Sequence, residues 1–117
     1  KKFKDVYYLF FRNINEIKNI LANKKFYCFL NLATFYTRTN TFYDTIKINK
    51  ANLLFPLLIM NSIDKKFLKK CIFIGTMAEH NNNAFYNPVN LYAASKKSLE
   101  IFLEFYKKKF QRSSFII

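Results

Sequence analysis

The sequence predicts an α/β fold in which an open parallel sheet carries helices on both faces. Three observations predict it: apolar runs of strand length, amphipathic helical patterns, and a regular alternation of the two along the chain. Strands that alternate with helices form parallel sheets, because each parallel pair needs a crossover connection. A chain of 117 residues holds one small domain or part of a larger one.

The first part of the chain contains two predicted strands and the helix between them. Residues 5–11 are apolar and aromatic, which favours a short strand. Asn13 and Glu16 have the spacing of a capping box, and apolar residues then recur at helical spacing as far as Leu21. Residues 26–33 form a continuous apolar run, as expected for a strand that is covered on both faces.

A long helical pattern follows, after a polar and aromatic loop over residues 34–41. It runs from about Tyr43 to near Ser62 and includes Pro56, which should kink the helix because proline lacks the N–H that an interior position needs. Its predicted buried stripe consists of Ile46, Ala51, Leu54, Leu58 and Ile59.

The remaining elements are a strand, a loop, a long helix and a final strand. Residues 69–76 contain an apolar strand, and residues 77–89 form a polar loop that is rich in asparagine. The long helix begins near Asn90 and continues to Phe110, with a lysine run that suits its C-terminal end. Residues 113–117 begin the last strand. The predicted apolar face of the long helix carries Leu99, Phe102, Leu103 and Phe105.

Charge and cysteine content limit the classes of function. Lys and Arg number 20 and Asp and Glu number 7, which gives a formal net charge of +13. No recognised nucleic-acid motif accompanies this charge, so we expect no nucleic-acid partner and keep a basic nucleic-acid-binding domain as a distant alternative. Cys28 and Cys71 lack metal-ligand spacing, which favours buried free thiols and no metal site. Apolar runs are too short for a membrane span, and we expect a cytoplasmic protein without membrane association.

A Tyr-x-x-x-Lys motif at the start of the long helix could carry chemistry. Tyr92 and Lys96 are four residues apart, so both side chains lie on one helix face, one turn apart. A lysine ammonium beside a tyrosine favours the phenolate, which eases proton exchange with an alcohol or a nascent alkoxide. Without further context, the same motif is an exposed aromatic–lysine pair on an amphipathic helix.

The apolar strand before the asparagine-rich loop provides that context. It ends in Gly75 and Thr76, so the Thr76 hydroxyl emerges at the carboxyl end of a strand, where open parallel sheets bind ligands. There it could hydrogen-bond a substrate carbonyl oxygen, and a capping or loop threonine is the alternative. Glu79 and His80 follow. We interpret both as solvated loop residues, with an extra acid or base at Glu79 as the alternative.

Four motifs occur in a fixed order: FLNLAT at residues 29–34, ANLLFPL at 51–57, FIGT at 73–76 and LYAASKKSL at 91–99. Together they resemble the extended short-chain dehydrogenase/reductase family, in its nucleotide-sugar epimerase, dehydratase and reductase branch. The first resembles the strand and turn beneath the cofactor, and the second resembles the following helix, with Asn52 as its asparagine. The third resembles the strand that ends in the catalytic Ser or Thr, and the fourth resembles the active-site helix.

The resemblance implies a partial Rossmann-like, doubly wound parallel sheet and an NAD or NADP cofactor. It implies that Tyr92 is the general acid or base, and that Lys96 favours the phenolate and holds the nicotinamide ribose. Ala33 and Thr34 would line the cofactor together with these two residues.

The resemblance also implies a nucleotide-sugar substrate, which Thr76 and Met77 would contact. Asn52 would support the sheet and the catalytic loop by hydrogen bonding. The stretch LATFYTR at residues 32–38 and the NLLFPL helix are most similar to CDP-abequose synthase-like reductases. These enzymes reduce a 4-keto-6-deoxyhexose on a CDP carrier for surface polysaccharide.

The chain departs from the family pattern near both ends. Gly75 is its single glycine, so the glycine-rich turn that holds the cofactor diphosphate is absent, and no acidic residue follows the first predicted strand as the family requires. We therefore expect residues 1–117 to be the central part of an NAD(P)-binding domain, without its first βαβ unit and C-terminal substrate domain, and to bind NAD(P) poorly alone. The full-length protein could form a homodimer through its long helices. A non-catalytic remnant or interaction module is the alternative.

Overall fold

The computed structural model describes residues 6–110 and 113–117. Its strands are β1 (Cys28–Asn31), β2 (Lys70–Phe73) and β3 (Ser114–Ile116), and they form one parallel sheet in the order β1-β2-β3. The register sets Phe29 of β1 beside Cys71 of β2, and Cys71 beside Phe115 of β3. Strands that are consecutive in sequence are therefore neighbours in the sheet. This arrangement confirms the predicted parallel α/β fold.

The helix α1 (Glu16–Leu21) precedes β1, and three further helices connect the strands. These are α2 (Phe42–Ile48) and α3 (Phe55–Ser62) between β1 and β2, and α4 (Leu91–Lys109) between β2 and β3. A π-helical segment, Asn49–Leu54, joins α2 to α3, so that one continuous helical stretch links β1 to β2. Short 3₁₀ turns, Met77–Glu79 and Asn81–Asn83, lie in the loop between β2 and α4.

The start of α4 agrees with the sequence prediction. Asn90 is extended, and its Oδ1 accepts a hydrogen bond from the backbone N of Ala93 at 2.9 Å. The first N–H groups of a helix have no partner within the helix, so this cap stabilises the helix start and sets its register. Leu99 and Leu103 are buried as predicted, whereas Phe102 and Phe105, which we expected on the same face, are exposed.

The predicted buried stripe of the α2–α3 stretch was wrong at Ile46 and Leu54, which are exposed. The buried positions recur instead every four residues, at Ile48, Asn52, Pro56 and Met60. The π-helical segment is the physical reason, because its wider turn shifts the helical period. Pro56 lies in the first turn of α3, directly after this segment, which accommodates its missing N–H donor.

The core lies between the helices and one face of the sheet. The Phe29 and Phe73 rings meet edge to face on that face, with centroids 5.6 Å apart. The helices contribute buried apolar residues over it, among them Ile17, Leu21, Met60, Leu99, Leu103 and Tyr106. Burial of these apolar side chains is the main source of the stability of the folded chain.

The second face of the sheet is exposed in the described residues. Leu30 of β1 and Ile116 of β3 are about half exposed there, and Cys28 is exposed beside them. We expected helices on both faces and a β1 strand covered on both sides, whereas α1, α3 and α4 pack on one face. Right-handed crossovers that add strands in one direction place their helices on the same face. The prediction that Cys28 is buried was therefore wrong.

Residues 6–11 form no strand, contrary to the prediction for residues 5–11; Asp5 lies outside the described residues. The Phe11 ring instead stacks on the Phe55 ring at the start of α3, with centroids 5.8 Å apart. An isolated extended segment leaves its backbone groups without partners, so an apolar pattern alone does not make a strand. The predicted capping box of Asn13 and Glu16 was also wrong, because the N-cap of α1 is Asn15, whose side chain makes no capping hydrogen bond. The Asn13 side-chain amide instead donates to the carboxylate of Glu16, the first residue of α1, at 2.9 Å.

Candidate functional site

Thr76 follows the carboxyl end of β2 and caps the 3₁₀ turn after it. Its Oγ1 accepts a hydrogen bond from the backbone N of Ala78 at 3.3 Å, and Oε1 of Glu79 accepts one from the backbone N of Thr76 at 3.3 Å. The two bonds form a capping box, which orders the backbone on both sides of the turn. Because the Thr76 hydroxyl oxygen accepts here, its own proton is available for a ligand.

Glu79 is 4% exposed, so our interpretation of it as a solvated loop residue was wrong. The capping box turns its carboxylate inward, and the Thr-x-x-Glu spacing was the signal that could have revealed this. His80, in contrast, is exposed as expected. Its Nδ1 lies 2.8 Å from the carbonyl oxygen of Phe85, within the same loop.

Lys96 extends from α4 to the end of β2. It is 8% exposed, and its Nζ donates to the carbonyl oxygen of Ile74 at 3.0 Å. Burial lowers the pKa of Lys96, because the charged form loses hydration, and the negative charge of Glu79 opposes that change. The structure thus places a buried amine at the carboxyl end of the central strand.

Tyr92 lies one turn before Lys96 and is half-buried. The Lys96 Nζ is 5.7 Å from the centroid of the Tyr92 ring, and the Tyr36 ring packs edge to face against it with centroids 5.0 Å apart. Both α4 side chains therefore share one face, and Lys96 connects that face to the strand end that bears Thr76. These three predicted residues lie around the carboxyl end of β2.

Asn52 connects the loop after β1 to the helix that carries Tyr92. The Asn52 side chain is 1% exposed, and its Nδ2 donates to the Phe35 carbonyl oxygen at 3.0 Å and to Ser95 Oγ at 2.9 Å. Its Oδ1 accepts from the Phe35 backbone N at 2.7 Å and from Thr34 Oγ1 at 3.2 Å. Ser95 Oγ in turn donates to the Tyr92 carbonyl oxygen at 2.7 Å. Asn52 therefore has a supporting, hydrogen-bonding role, but its partners lie in the loop after β1 and in α4, where we had expected it to support the sheet and the catalytic loop.

Sequence reasoning missed two contributors to this site, Ser95 and Tyr36. Ser95 lies four residues before the buried Leu99, so its place on the inner face of α4 could have been read from the helical period. Tyr36 lies in the LATFYTR stretch that carried part of the family resemblance, but that stretch gave no sign that the Tyr36 ring packs against Tyr92.

Two cavities flank these residues. One of about 390 Å³ lies beside Lys96, and its polar lining includes Thr76, Glu79, Lys96, Lys97 and Glu100. The other, of about 860 Å³, lies at the loop after β1, where Ala33, Thr34, Phe35, Arg12, Lys47 and Lys50 line it together with apolar side chains. The predicted cofactor residues are thus divided: Ala33 and Thr34 line one cavity and Lys96 lines the other. Tyr92 lines neither cavity, and the 92% exposed Met77 also lines neither.

The described part of the chain contains no group of three His, Cys, Asp or Glu side chains that could hold a metal ion. Within the same residues, every helix is too short or too polar to cross a membrane.

Comparisons with known proteins support the fold. No protein-family model and no curated protein matches the sequence. The structure is similar to UDP-glucuronic acid 4-epimerase from Bacillus cereus in complex with NAD, with a TM-score of 0.65 and 17% identity over 89% of this chain and 35% of that chain. It is also similar to the complex of UDP-glucose 4-epimerase from Thermus thermophilus with NAD, with a TM-score of 0.69 and 16% identity over 89% of this chain and 36% of that chain.

These two similarities establish the fold alone, because sequence identities of 16% and 17% are too low to assign a function. The predicted Rossmann-like parallel fold is confirmed by them. The chain spans about a third of the length of each of these structures.

Proposed function

We propose that this chain is the central part of an NAD(P)-dependent nucleotide-sugar oxidoreductase or epimerase, in which Tyr92 transfers a proton. The observation that carries the proposal is the position of Lys96. Its ammonium lies one helical turn from Tyr92 and 3.0 Å from the Ile74 carbonyl, at the end of the strand that bears Thr76. The similar fold of two UDP-sugar epimerases solved with NAD supports the same assignment.

Each of the three residues has a distinct role in the proposal. The Tyr92 phenol holds or moves a proton at the reacting oxygen of the sugar, and the Lys96 ammonium favours the phenolate through its charge. The Thr76 hydroxyl, whose proton is not used within the capping box, donates to the same sugar oxygen. NAD(P), when bound, supplies or accepts the hydride.

The chain has cations and a lysine that suit parts of such a cofactor, but it lacks a glycine-rich turn. Ala33 and Thr34 line a large cavity whose rim carries the cations Arg12, Lys47 and Lys50, which suit phosphate groups. Lys96 lies where it could hold a ribose hydroxyl. The sequence lacks a glycine-rich turn for the diphosphate, since Gly75 is its one glycine. We therefore propose that residues 1–117 alone bind NAD(P) weakly.

The finer features of the proposal are a 4-keto-6-deoxyhexose on a nucleotide carrier as the substrate, with Thr76 and Met77 beside it, and a step in surface polysaccharide synthesis. The partner is thus a nucleotide sugar rather than a nucleic acid. Free thiols at Cys28 and Cys71 are consistent with the reducing cytoplasm.

We also propose that the full-length protein forms a homodimer through the groove between α3 and α4. This groove has a volume of about 570 Å³ and is lined mainly by apolar residues, namely Leu54, Leu57, Leu58, Ile101, Phe102 and Phe105. Exposed apolar side chains of this kind are typical of helix-mediated interfaces.

Turnover of nucleotide-linked sugars tests the proposal. The full-length protein is incubated with NAD(P)H or NAD and a panel of UDP-, dTDP- and CDP-linked hexoses and 4-keto sugars. Nicotinamide absorbance reports net reduction, and NMR of the sugar reports epimerisation. We expect Tyr92→Phe to lower turnover by about 10²- to 10⁴-fold while circular dichroism stays unchanged.

Tyr36→Phe is the matched control, because Tyr36 packs against the Tyr92 ring without belonging to the proposed proton-transfer set. It should retain most of the activity. Equal turnover in Tyr92→Phe and the unmodified protein would refute the role of Tyr92.

A non-catalytic interaction module of the same fold is the second candidate function. The absence of a glycine-rich turn within these 117 residues motivates it, because these residues alone offer the cofactor diphosphate no backbone cradle. A folded full-length protein that neither binds NAD(P) nor converts any sugar in the panel would support this second function.

A further inference from the structure

Glu79 is a buried carboxylate that the proposed mechanism does not use. It is 4% exposed, one of its oxygens accepts the Thr76 N–H at 3.3 Å, and it lines the same cavity as Lys96. A buried charge is costly unless a hydrogen bond or an opposite charge offsets the loss of hydration. A single backbone hydrogen bond is a modest offset, which suggests that Glu79 has an electrostatic partner.

Lys96 carries a buried positive charge. Its ammonium is buried, and the hydrogen-bond acceptor found for it is the neutral carbonyl of Ile74. In the part of the chain that the structure describes, the ion pairs are Lys97–Glu100 and Lys107–Glu104, and Lys96 belongs to neither. A negative group that offsets part of the Lys96 charge therefore lies beyond ion-pair distance.

The charged and titratable groups around Lys96 identify that group. The loop after β2 contributes Glu79 and the exposed His80, and α4 contributes Tyr92, Lys97 and Glu100, while the end of β2 contributes only the Ile74 carbonyl and Gly75. Lys97 pairs with Glu100 at 2.8 Å, and the charge of Glu79 acts on Lys97 more weakly than that pair does. Glu79 lines the same cavity as Lys96, and its carboxylate is the negative charge that acts on Lys96 there.

We propose that Glu79 is a positioning residue that fixes the backbone of Thr76 and keeps the buried Lys96 ammonium protonated beside Tyr92. The link from this electrostatic coupling to proton transfer rests on the proposed function. The coupling itself does not, because it concerns two side chains of this domain. The 3₁₀ turn that contains Glu79 thereby orders the backbone that carries the Thr76 hydroxyl and stabilises the Lys96 ammonium.

Charge and hydrogen bonding can be separated at Glu79. Glu79→Gln keeps an oxygen that can accept the Thr76 N–H but removes the negative charge. Burial, which lowers the pKa of Lys96, would then act without the opposing charge of Glu79. The amine of the variant should lose its proton at a lower pH than the amine of the unmodified protein.

NMR of lysine side chains tests this directly. The ¹³Cε signals of the ¹³C-lysine-labelled protein are followed against pH, with the Lys96 signal assigned from its loss in Lys96→Met. We expect a lower Lys96 titration midpoint in Glu79→Gln. Glu100→Gln is the matched control: it removes a carboxylate from the wall of the same cavity, and it should lower the Lys97 midpoint while leaving that of Lys96 in place.

Glu79→Asp is a second variant that keeps the charge. Its Lys96 midpoint should stay closer to that of the unmodified protein than the midpoint of Glu79→Gln does. An unchanged Lys96 midpoint in Glu79→Gln would overturn the proposal. A Lys96 midpoint as low in Glu79→Asp as in Glu79→Gln would also overturn it, because loss of charge could not then be the cause.

The pH profile of turnover tests whether the coupling between Glu79 and Lys96 affects catalysis. If Glu79 acts through Lys96, Glu79→Gln should move the alkaline fall in kcat to lower pH. If Glu79 has a purely structural role, the same variant should lower kcat at every pH without changing the pH at which the alkaline fall occurs. A shifted Lys96 midpoint in a protein without any turnover refutes the proposed function but supports the coupling between Glu79 and Lys96. Turnover with an unshifted midpoint refutes the role of Glu79 and leaves the proposed function intact.

Discussion

The Asn52 amide and the Ser95 hydroxyl are 43 positions apart in sequence and are joined by a hydrogen bond of 2.9 Å. Both groups are buried, and both also bond to backbone: Asn52 to Phe35 and Ser95 to the Tyr92 carbonyl. A buried network of this kind stabilises one geometry when every member has a partner. The orientation of α4, and with it that of Tyr92, therefore depends on a side chain in the π-helical segment.

Loss of the Asn52 amide should be strongly destabilising. Asn52→Ala leaves the backbone of Phe35 and the hydroxyl of Ser95 without their buried partner, so we expect the free energy of unfolding to fall by about 3 kcal/mol. Urea unfolding followed by circular dichroism measures the change. Asn49→Ala is the matched control, since the exposed Asn49 donates only to the Thr45 carbonyl one turn earlier, and it should cost less than ~1 kcal/mol. Equal losses in the two variants would contradict the network.

The orientation of α4 predicts a contrast between two neighbouring apolar residues. Leu103 is fully buried in the core, whereas Ile101 is 65% exposed. Leu103→Ala should lower the free energy of unfolding by about 3–4 kcal/mol because it leaves a cavity, while Ile101→Ala should change it by no more than ~0.5 kcal/mol. Urea unfolding at low protein concentration keeps self-association from contributing. A larger loss in Ile101→Ala than in Leu103→Ala would show that the wrong face of α4 had been assigned to the core.

The two cysteines should differ in reactivity. Cys28 is exposed, whereas Cys71 is fully buried, and burial together with the nearby Cys28 raises the pKa of the Cys71 thiol to about 12. Thiol reagents attack the thiolate, so Cys71 should be inert at pH 8 in the folded protein. A chromogenic disulfide reagent should titrate one thiol in native protein and both after denaturation. Cys28→Ser should abolish the native reaction, and rapid labelling of Cys71 in that variant would argue against its burial.

Lys96 should reduce stability in a pH-dependent way. Burial lowers the pKa of Lys96 below its ordinary value of 10.5. Between the lowered pKa of Lys96 in the folded protein and its ordinary pKa in the unfolded chain, the unfolded chain binds more protons than the folded chain. The contribution of Lys96 therefore makes the folded state more stable as the pH rises and less stable as the pH falls. The pKa of Lys96 is lowered even with the Glu79 charge present, so the cost of burying the ammonium exceeds the stabilisation that Glu79 provides. Lys96→Met removes this net cost, and we expect a gain of about 1 kcal/mol at neutral pH.

The gain from Lys96→Met should shrink as the pH approaches 10.5, where the amine of the unmodified protein also becomes neutral. Paired denaturation curves across this range test the prediction, because all other titrating groups are common to both proteins. Lys97→Met, at a partly exposed position next in the helix, is the control and should produce no comparable gain. A less stable Lys96→Met protein at every pH would contradict the burial penalty.

Local patterns in the sequence were sufficient for the order of elements from α1 onward, for the parallel sheet and for the placement of Tyr92, Lys96 and Thr76. Helical period and capping chemistry involve residues within one or two turns, so the start of α4 at Asn90 and the shared face of Tyr92 and Lys96 could be inferred without distant contacts. The emergence of Thr76 at a strand end followed from an apolar run and the loop after it.

Burial and exposure depended on contacts between distant segments. Glu79 is buried because its turn packs beside α4, whereas Cys28 and Leu30 are exposed because the helices cover only the other face of the sheet. The apolar residues 6–11 form no strand, and Phe11 packs on Phe55 instead. Hydrophobicity specifies that a side chain favours burial, but which surface covers it depends on where the rest of the chain folds.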